Sequence, residues 1–267
     1  MDLKRLTEEV KKLAVETGEF LRDERVAFNQ DKVEQKGAHD YVSYVDKASE
    51  KRIVARLHEL LPEAGFVAEE GSGTLGSQEY CWVVDPLDGT SNYIHDNAPY
   101  CVSIALRNRE EILLGVVYEC CRDELFWAYR GGKAYMNGRE IHVSGQSVLD
   151  QSFIEFGFPY KSESYSPFVM NVVRDLYGHV GGLRLLGAAA VEICYVAAGR
   201  FEARIEGFIS EWDVAAGSLI LEMAGGRLTD FSGHENRWDG REVFASNGKI
   251  HDELLEVLKK HKNLMES

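Results

Sequence analysis

The stretch YCWVVDPLDG, residues 80–89, constrains the fold more than any other part of the chain. Its first five residues are apolar, whereas a strand with one face in water alternates apolar and polar residues, so the run predicts a strand covered on both faces. Asp85 and Asp88 follow at a place where charge is costly. A tight turn explains them, because Asp-Pro-x-Asp-Gly forms turns readily. The alternative is a ligand site, because sheets commonly present ligands at strand ends.

Apolar residues recur at helical spacing in residues 3–21 and again in residues 46–61, which predicts two amphipathic helices. Short apolar runs separated by Gly, Asn and Asp turns then predict five strands: GFVAEE, YCWVVD, CVSIALR, ILLGVVYE and ELFWAYR. Strands joined by such short connections pair mostly antiparallel. The first half is therefore predicted to be α+β, with its sheet flanked by the two helices.

The order of elements changes after residue 147. A strand is predicted near residues 152–156 and a helix over residues 167–177. Small-residue helices then alternate with the strand-like runs RFEARIE, GRLTDF and EVFASN, before the last helix, HDELLEVLKKHK. Alternating helices and strands are typical of α/β structure. We therefore expect two domains, an α+β domain at residues 1–147 and an α/β domain at residues 148–267.

The charge balance limits the partners. Thirty Lys and Arg against 44 Asp and Glu give a net charge of −14, which disfavours nucleic acid and anionic membranes. An anionic substrate would need cations supplied locally, and a divalent metal held by carboxylates is the simplest source. The five cysteines form no C-x-x-C pair, and the sequence contains neither a signal-peptide pattern nor a long apolar run. These features predict a cytoplasmic protein.

Other acidic residues stand at the ends of predicted elements. Glu69 and Glu70 close the strand GFVAEE, Asp46 precedes the second helix, and Asp213 opens a helix in SEWDVAAG. Each has a local explanation: the glutamates as a solvated pair, the aspartates as helix N-caps. Residues 71–76, GSGTLG, formally match a dinucleotide-binding motif, but only three residues separate them from the next strand, which leaves no room for that motif's helix.

The coincidence of these positions favours a site. Four acidic stretches all fall at strand ends or helix starts, where proteins that combine helices and sheets assemble ligand sites. Hard oxygen ligands without histidine pairs indicate magnesium, manganese or calcium rather than zinc. The sequence therefore predicts a divalent cation site built from carboxylates.

Three motifs, which occur along the chain in the family's order and at family-like spacing, resemble the signatures of the inositol monophosphatase family. DPLDGTSNY at residues 85–93 is similar to D-P-x-D-G-T-x-N-[FY], the pair Glu69 and Glu70 to E-E, and WDVAAG at residues 212–217 to W-D-x-A-[AG]-G. The likeness covers nearly the whole chain, although Lys36 stands one residue closer to Asp40 than in better-known members. The resemblance implies a layered αβαβα fold, a homodimer and a lithium-sensitive, magnesium-dependent sugar phosphatase.

The resemblance also implies the metal ligands. Glu69, Asp85 and the carbonyl of Leu87 would hold a first magnesium ion, and Asp85, Asp88 and Asp213 a second. Two or three ions would bind per site, with manganese as the alternative metal. A metal-activated water would attack phosphorus, as in other two-metal sites.

Further roles follow from the same resemblance. Glu69, or Thr90 paired with Asp46, would take the proton of the attacking water. The residues implied in substrate binding lie around the metals and in an alcohol pocket: Leu87, Asp88, Gly89, Thr90, Gly187, Ala188, Ala189, Glu206 and Asp213.

Myo-inositol monophosphate is the expected substrate. Other esters are alternatives for the same chemistry: fructose bisphosphate, phosphoadenosine phosphate and histidinol phosphate. An alternative interpretation of Glu206 is an ordinary surface acid at a strand end. A regulatory protein that binds metal without catalysis is the rival from another class.

Overall fold

The computed structural model describes residues 1–28, 33–37, 40–73, 78–158, 165–235, 238 and 241–265. Within these ranges the chain forms five layers in the order α, β, α, β, α. This arrangement confirms the layered fold that the sequence predicts.

The first helix layer and the larger sheet come from the first half of the chain. The outer helices are α1 (Leu3–Val26) and α2 (Tyr44–Leu60), and a small hairpin, β1 (Val33–Gly37) and β2 (Asp40–Ser43), lies between them in sequence. The sheet is formed by β3 (Gly65–Ala68), β4 (Cys81–Asp88), β5 (Cys101–Arg107), β6 (Ile112–Glu119), β7 (Glu124–Tyr129), β8 (Tyr135–Met136) and β9 (Arg139–Glu140), in that spatial order. Only β3 and β4 pair in parallel, so the sheet is mostly antiparallel, as predicted. The short helix α3 (Thr90–Ile94) follows β4.

The second half contributes the other three layers. Its sheet contains β10 (Phe153–Phe156), β11 (Gly182–Arg184), β12 (Ala203–Gly207), β13 (Arg227–Thr229) and β14 (Glu242–Ser246), in the spatial order β11-β10-β12-β14-β13. Strand β10 is parallel to both of its neighbours, whereas β14 is antiparallel to both of its own. Helices α5 (Ala189–Ala197) and α6 (Glu211–Met223) form the middle layer, and α4 (Tyr165–Leu176) and α7 (His251–His261) the outer one.

Strand β4 is covered on both faces. Trp82 and Val84 belong to the hydrophobic core beneath α1 and α2, whereas Val83 belongs to the core that contains α5 and α6. Alternate side chains of a strand point to opposite faces, so a strand between two cores must be apolar at every position. The continuous run that opens this strand is therefore explained by its position between two helix layers.

The central core joins the two halves of the chain. Val83 and Ala105 from the larger sheet pack in one cluster with Ala190, Leu219 and Ala245 from the second half. The predicted boundary near residue 147 falls between β9 and β10, and the division into two domains stays a prediction. None of the described helices has the length and apolar composition that crossing a bilayer requires.

A histidine is buried at the start of α7, in the outer helix layer. His251 has Ser246 Oγ 2.7 Å from its Nδ1 and Thr229 Oγ1 3.1 Å from its Nε2, and its ring stacks on Phe244. Burial lowers the pKa of His251 to about 4. In the unfolded chain the imidazole of His251 takes up a proton at about pH 6.5. The stability that neutral, buried His251 contributes is therefore present above that pH and is lost as the pH falls towards 4.

We expect protonation linked to His251 to contribute a decrease of about 2–3 kcal/mol in the free energy of unfolding between pH 6.5 and 4. His251→Gln should therefore be less stable than the wild type at pH 7.5, and this difference should shrink by that amount as the pH falls to 4. Urea unfolding at a series of pH values measures both effects. The exposed His58 provides a control, and His58→Gln should keep the wild-type pH dependence. An unchanged pH dependence in His251→Gln would contradict the assignment.

Candidate active site

A cleft of about 780 Å³ lies where the ends of β3 and β4 meet α3, the start of α5, β12 and the start of α6. The predicted site residues that line it come from both halves of the chain: Glu69, Asp85, Leu87, Asp88, Gly89, Thr90, Gly187, Ala188, Ala189, Glu206 and Asp213. Asp46 does not line the cleft, but it contacts Thr90, which does. The structure therefore brings the predicted residues to one place.

A bulge in β4 directs two carboxylates into this cleft. Asp85 pairs with Ser103 and Asp88 with Cys101, so three steps along β4 face two steps along β5. In a regular strand, residues three apart point to opposite faces, and the extra residue of a bulge cancels that alternation. The sequence placed the strand end at Asp85, whereas the structure continues the strand to Asp88 through this bulge.

Three carboxylates form a compact group. Asp85, Asp88 and Asp213 each offer an oxygen within 4.8 Å of the others. Burial is the largest cause that raises the pKa of all three, to about 7 for Asp88 and well above the usual range for Asp85 and Asp213. The charges of the neighbouring carboxylates raise the pKa values of Asp85 and Asp213 further. Each ionised pair at this separation repels by roughly 3 kcal/mol at an effective dielectric constant of about 20.

This donor set fits a divalent cation. Hard cations such as magnesium and calcium take carboxylate oxygens as ligands, and a bound cation offsets the repulsion that raises the pKa values. The three residues are the same set that the family resemblance implies for the second ion. Their role as ligands stays a prediction.

Backbone amides hold each of the three carboxylates. Asp88 accepts hydrogen bonds from the amides of Ala189 (3.1 Å) and Ala190 (2.7 Å), at the start of α5. Asp85 accepts from the amide of Leu87 at 3.0 Å, and Asp213 accepts from the amide of Ser210 at 2.9 Å. Ser210 is the N-cap of α6, and Asp213 is the third residue of the helix, so the N-cap interpretation of Asp213 is wrong. Its carboxylate closes a capping box with Ser210 and also lines the cleft.

Glu69 lies at the edge of the carboxylate group. It follows β3, and its amide donates to the carbonyl of Val84 in the parallel strand β4 at 3.3 Å. Its carboxylate lines the cleft, and its charge raises the pKa values of Asp85 and Asp213. The oxygens that lie within 4.8 Å of one another belong to the three aspartates and do not include Glu69.

Sequence reasoning missed Glu50, which holds the loop that carries Glu69. Its buried carboxylate accepts from the amides of Glu70 (2.7 Å) and Ser72 (2.9 Å). Glu50 stands three residues before the buried Ile53 on α2, so the signal was an acid on the apolar face of an amphipathic helix.

Thr90 connects the cleft to Asp46. Its hydroxyl lies 3.0 Å from both Asp46 Oδ1 and the Leu87 carbonyl. Ser43, and not Asp46 as predicted, is the N-cap of α2, and Asp46 Oδ2 accepts from the amide of Ser43 at 2.8 Å in a capping box. Burial raises the pKa of Asp46. Gly89 allows the tight entry to α3, because its φ is +86° and a Cβ there would lie 2.9 Å from the Pro99 carbonyl oxygen.

The part of the cleft around Glu206 contains further charged residues that sequence reasoning missed. Arg204 and Glu192 line the same cleft as Glu206 and pair with each other at 2.9 Å. Alternation in RFEARIE places Arg204 and Glu206 on one face of β12, a signal that was available in the sequence. The side chains of Lys36 and Asp40, and part of the GSGTLG stretch, lie outside the described residues.

Comparisons with known proteins show the family and the fold of the chain. Residues 2–263 match the model of the "Inositol monophosphatase family". A "Fructose-1,6-bisphosphatase/inositol-1-monophosphatase" of Aquifex aeolicus is 36% identical over 260 residues, which are 97% of either chain. A "Nus factor SuhB" of Pseudomonas aeruginosa is 40% identical over 234 residues, 86% of either chain. The solved structure of an IMPase from Thermotoga maritima superposes with a TM-score of 0.89 at 32% identity, and the match covers 98% of this chain and 99% of that one.

Motifs, fold and comparisons therefore lead to the same assignment, and they cover almost every residue of the sequence. This chain belongs to the inositol monophosphatase family.

Proposed function

We propose that this protein hydrolyses myo-inositol monophosphate to inositol and phosphate with the help of magnesium. Family membership supports a phosphatase. The observation that carries the proposal is the group of three carboxylates within 4.8 Å, in a cleft that also contains Glu206. Such a cleft combines ligands for hard cations with acceptors for the hydroxyls of a polyol.

Five residues would hold the metal ions: Glu69, Asp85, Leu87 through its carbonyl, Asp88 and Asp213. When bound, the ions supply positive charge for the phosphoryl oxygens and lower the pKa of coordinated water. The fit rests on the oxygen chemistry of these ligands and on the raised pKa values of the aspartates.

Residues beside the aspartates serve the phosphate end. Gly89 and Thr90 would offer their amides to phosphoryl oxygens at the start of α3. The Thr90 hydroxyl, held 3.0 Å from Asp46 Oδ1, would orient a water and pass its proton towards that carboxylate. Glu69 is the second candidate for this proton.

The other end of the cleft would bind the alcohol. Glu206 would accept a hydrogen bond from one hydroxyl and Asp88 from another, while the backbone at Gly187, Ala188 and Ala189 would line the ring. A pocket built to accept hydroxyl protons discriminates against analogues that lack them. This chemistry supports a polyol as the alcohol.

The experiment that tests this proposal is phosphate release by the purified protein from a set of esters. Inositol 1-phosphate, fructose 1,6-bisphosphate, phosphoadenosine phosphate and histidinol phosphate are compared with and without magnesium, and manganese is tested separately. The highest kcat/KM is expected for inositol 1-phosphate. A higher value for another ester would replace the substrate but keep the chemistry, whereas no release from any ester would reject a phosphatase. The homodimer stays a prediction, which the mass of the protein in solution tests.

Asp46→Asn should lower kcat on the order of 100-fold, because the amide no longer accepts a proton through Thr90. The fold should persist, since asparagine keeps a side-chain oxygen that can accept from the amide of Ser43. Steady-state kinetics and thermal unfolding measure the two effects. Asp2 caps α1 by accepting from the amide of Arg5, so Asp2→Asn is the matched control and should keep wild-type kcat. Wild-type kcat in Asp46→Asn would leave Glu69 as the proton acceptor.

A second candidate function comes from the relative named "Nus factor SuhB". We propose that this chain can also act as a Nus factor, and that this role does not require phosphate release. Complementation of a bacterium that lacks its SuhB tests this role, and Asp213→Asn is the informative variant. A variant that complements without releasing phosphate supports the second role, and failure of the wild-type chain to complement rejects it.

A further inference from the structure

A buried ionic cluster lies behind the alcohol end of the cleft. Arg204, 1% exposed, is surrounded by three glutamates. Its Nε lies 2.9 Å from Glu192 Oε2 and 3.2 Å from Glu155 Oε2, and its Nη2 contacts Glu206. Glu192, Arg204 and Glu206 all line the cleft, but the side chains of Glu192 and Arg204 are 1% exposed, whereas that of Glu206 is 14% exposed. Glu206 is therefore the member of this cluster that a ligand in the cleft can contact.

One guanidinium cannot offset three ionised carboxylates in a buried place. Burial, followed by the charge of Glu192, raises the pKa of Glu155 well above its usual range, which disfavours its ionised form. The positive charge of Arg204 then acts on Glu192 and Glu206. A guanidinium presents its donors in a rigid plane, so the two carboxylates it binds are fixed relative to each other.

Glu192 ties this plane to the rest of the site. Its Oε1 accepts from the amide of Ala188 at 3.1 Å, directly before the two amides that bind Asp88. Arg204 thus connects the acceptor of the alcohol pocket to the segment that holds one of the clustered aspartates. A shift of Arg204 would move Glu206 relative to Asp88.

Gly157 leaves the space that the Glu206 carboxylate occupies. A Cβ at residue 157 would lie 2.1 Å from Glu206 Cδ and 2.2 Å from Glu206 Oε2, and its three nearest atoms all belong to the Glu206 side chain. The φ of Gly157 lies outside the left-handed region, so alanine fits the backbone but not the side chain beyond it. The Glu206 carboxylate is thus held by its contact with Arg204 and fits into the space that the missing side chain of Gly157 leaves.

We propose that Arg204 is a positioning residue that holds the Glu206 carboxylate over Gly157, and that preference for polyol phosphates depends on this placement. The inference rests on the proposed function, because it concerns the alcohol end of the same cleft. Nε and Nη2 of Arg204 contact glutamates and its Nη1 is buried, so we assign the substrate contact to Glu206 and the positioning to Arg204.

Two variants displace the carboxylate in different ways. Arg204→Lys keeps the positive charge but lacks the planar set of donors that reaches two carboxylates at once. Gly157→Ala inserts a methyl group where the carboxylate lies. Glu206→Gln serves as the reference for loss of the carboxylate itself. Because lysine keeps the charge and alanine meets only the end of a side chain, both variants should fold, which thermal unfolding checks.

The measurement is kcat and KM for inositol 1-phosphate and for p-nitrophenyl phosphate, whose leaving group has no aliphatic hydroxyl. The ratio of kcat/KM values for these esters should fall about tenfold in Arg204→Lys, Gly157→Ala and Glu206→Gln, mainly through KM for the polyol ester. The double variant R204K/E206Q should lose no more than Glu206→Gln, because both changes act on one interaction.

Two matched controls should keep the wild-type ratio. Arg200 pairs with Glu124 through two contacts of 2.6 Å and does not line the cleft, so Arg200→Lys tests the loss of a guanidinium as such. A Cβ at Gly145 would meet nothing within 4 Å, so Gly145→Ala tests the added methyl group.

The outcomes separate this inference from the proposed function. A wild-type ratio in Arg204→Lys or Gly157→Ala would overturn the positioning role. Equal losses with both esters would also overturn it, because a structural role lowers both alike. Failure of the wild type to hydrolyse either ester would reject the proposed function and this inference together. The activity of the wild type therefore distinguishes this failure from failure of the positioning role alone.

Discussion

Replacing Asp213 by asparagine should reduce magnesium-dependent phosphate release about a thousandfold and leave the fold intact. The side chain belongs to the three-carboxylate group, and loss of one proposed metal ligand should remove several kcal/mol of charge stabilisation from the transition state. Asparagine keeps an oxygen for the amide of Ser210, so the start of α6 should persist. Phosphate release from inositol 1-phosphate across a magnesium titration measures the loss.

Asp252 provides the matched control. It also stands in the first turn of a helix, α7, but its side chain is 88% exposed and lies outside the cleft. Asp252→Asn should keep the wild-type rate and magnesium dependence. A wild-type rate in Asp213→Asn would reject the assignment of this carboxylate to the metal site.

Magnesium should raise the thermal unfolding temperature of the wild type by roughly 5–10 °C at a concentration a hundredfold above its dissociation constant. Saturation to that degree adds about 2.7 kcal/mol to the free energy of unfolding. Each kcal/mol shifts the midpoint by roughly 2–4 °C in a chain of this size. The physical cause is the repulsion among buried carboxylates, which a cation in their midst converts into attraction.

The pKa of Asp88 predicts how the stability of the metal-free protein changes with pH. The pKa of Asp88 is about 7 in the folded protein and about 3.9 in an unfolded chain, so the folded state holds a proton that the unfolded state has lost. The stability this proton provides is lost as the pH rises through 7. In the presence of a chelator, we therefore expect lower stability at pH 8 than at pH 6.5.

Calorimetric unfolding at pH 6.5 and pH 8, with chelator and with magnesium, tests both statements. Asp213→Asn should unfold at a higher temperature than the wild type in chelator, because one repelling charge is gone, and should gain less from magnesium. Asp252→Asn should follow the wild type in all four conditions. A wild-type midpoint that does not respond to magnesium would contradict a cation site at these aspartates.

The sequence predicts the local structure around the site well. The apolar run before Asp85 indicates a strand covered on both faces, and it packs between two cores as β4. Asp46 and Asp213 indicate helix starts, and both lie in the first turn of a helix, although the N-caps are Ser43 and Ser210. These features depend on residues that are neighbours in the chain, so sequence patterns report them directly. Resemblance to the family motifs also predicts the layered fold.

The bulge of β4 could not be predicted in this way. By simple alternation, Asp85 and Asp88 belong on opposite faces of the strand, and only the pairing of β4 with β5 adds the extra residue that turns both into the cleft. The partner strand lies beyond α3 in the sequence, so the register was decided by the sheet as a whole.

By itself, the sequence determined which elements form and which acidic residues stand at their ends, because periodicity, capping and turn chemistry act over a few neighbouring residues. Only the tertiary structure decided that Glu50 holds the loop of Glu69 and that Arg204 gathers glutamates from β10, α5 and β12. A buried charge is stable only with partners at hydrogen-bonding distance, and those partners come from distant parts of the chain. Their identity is therefore a property of the packed layers.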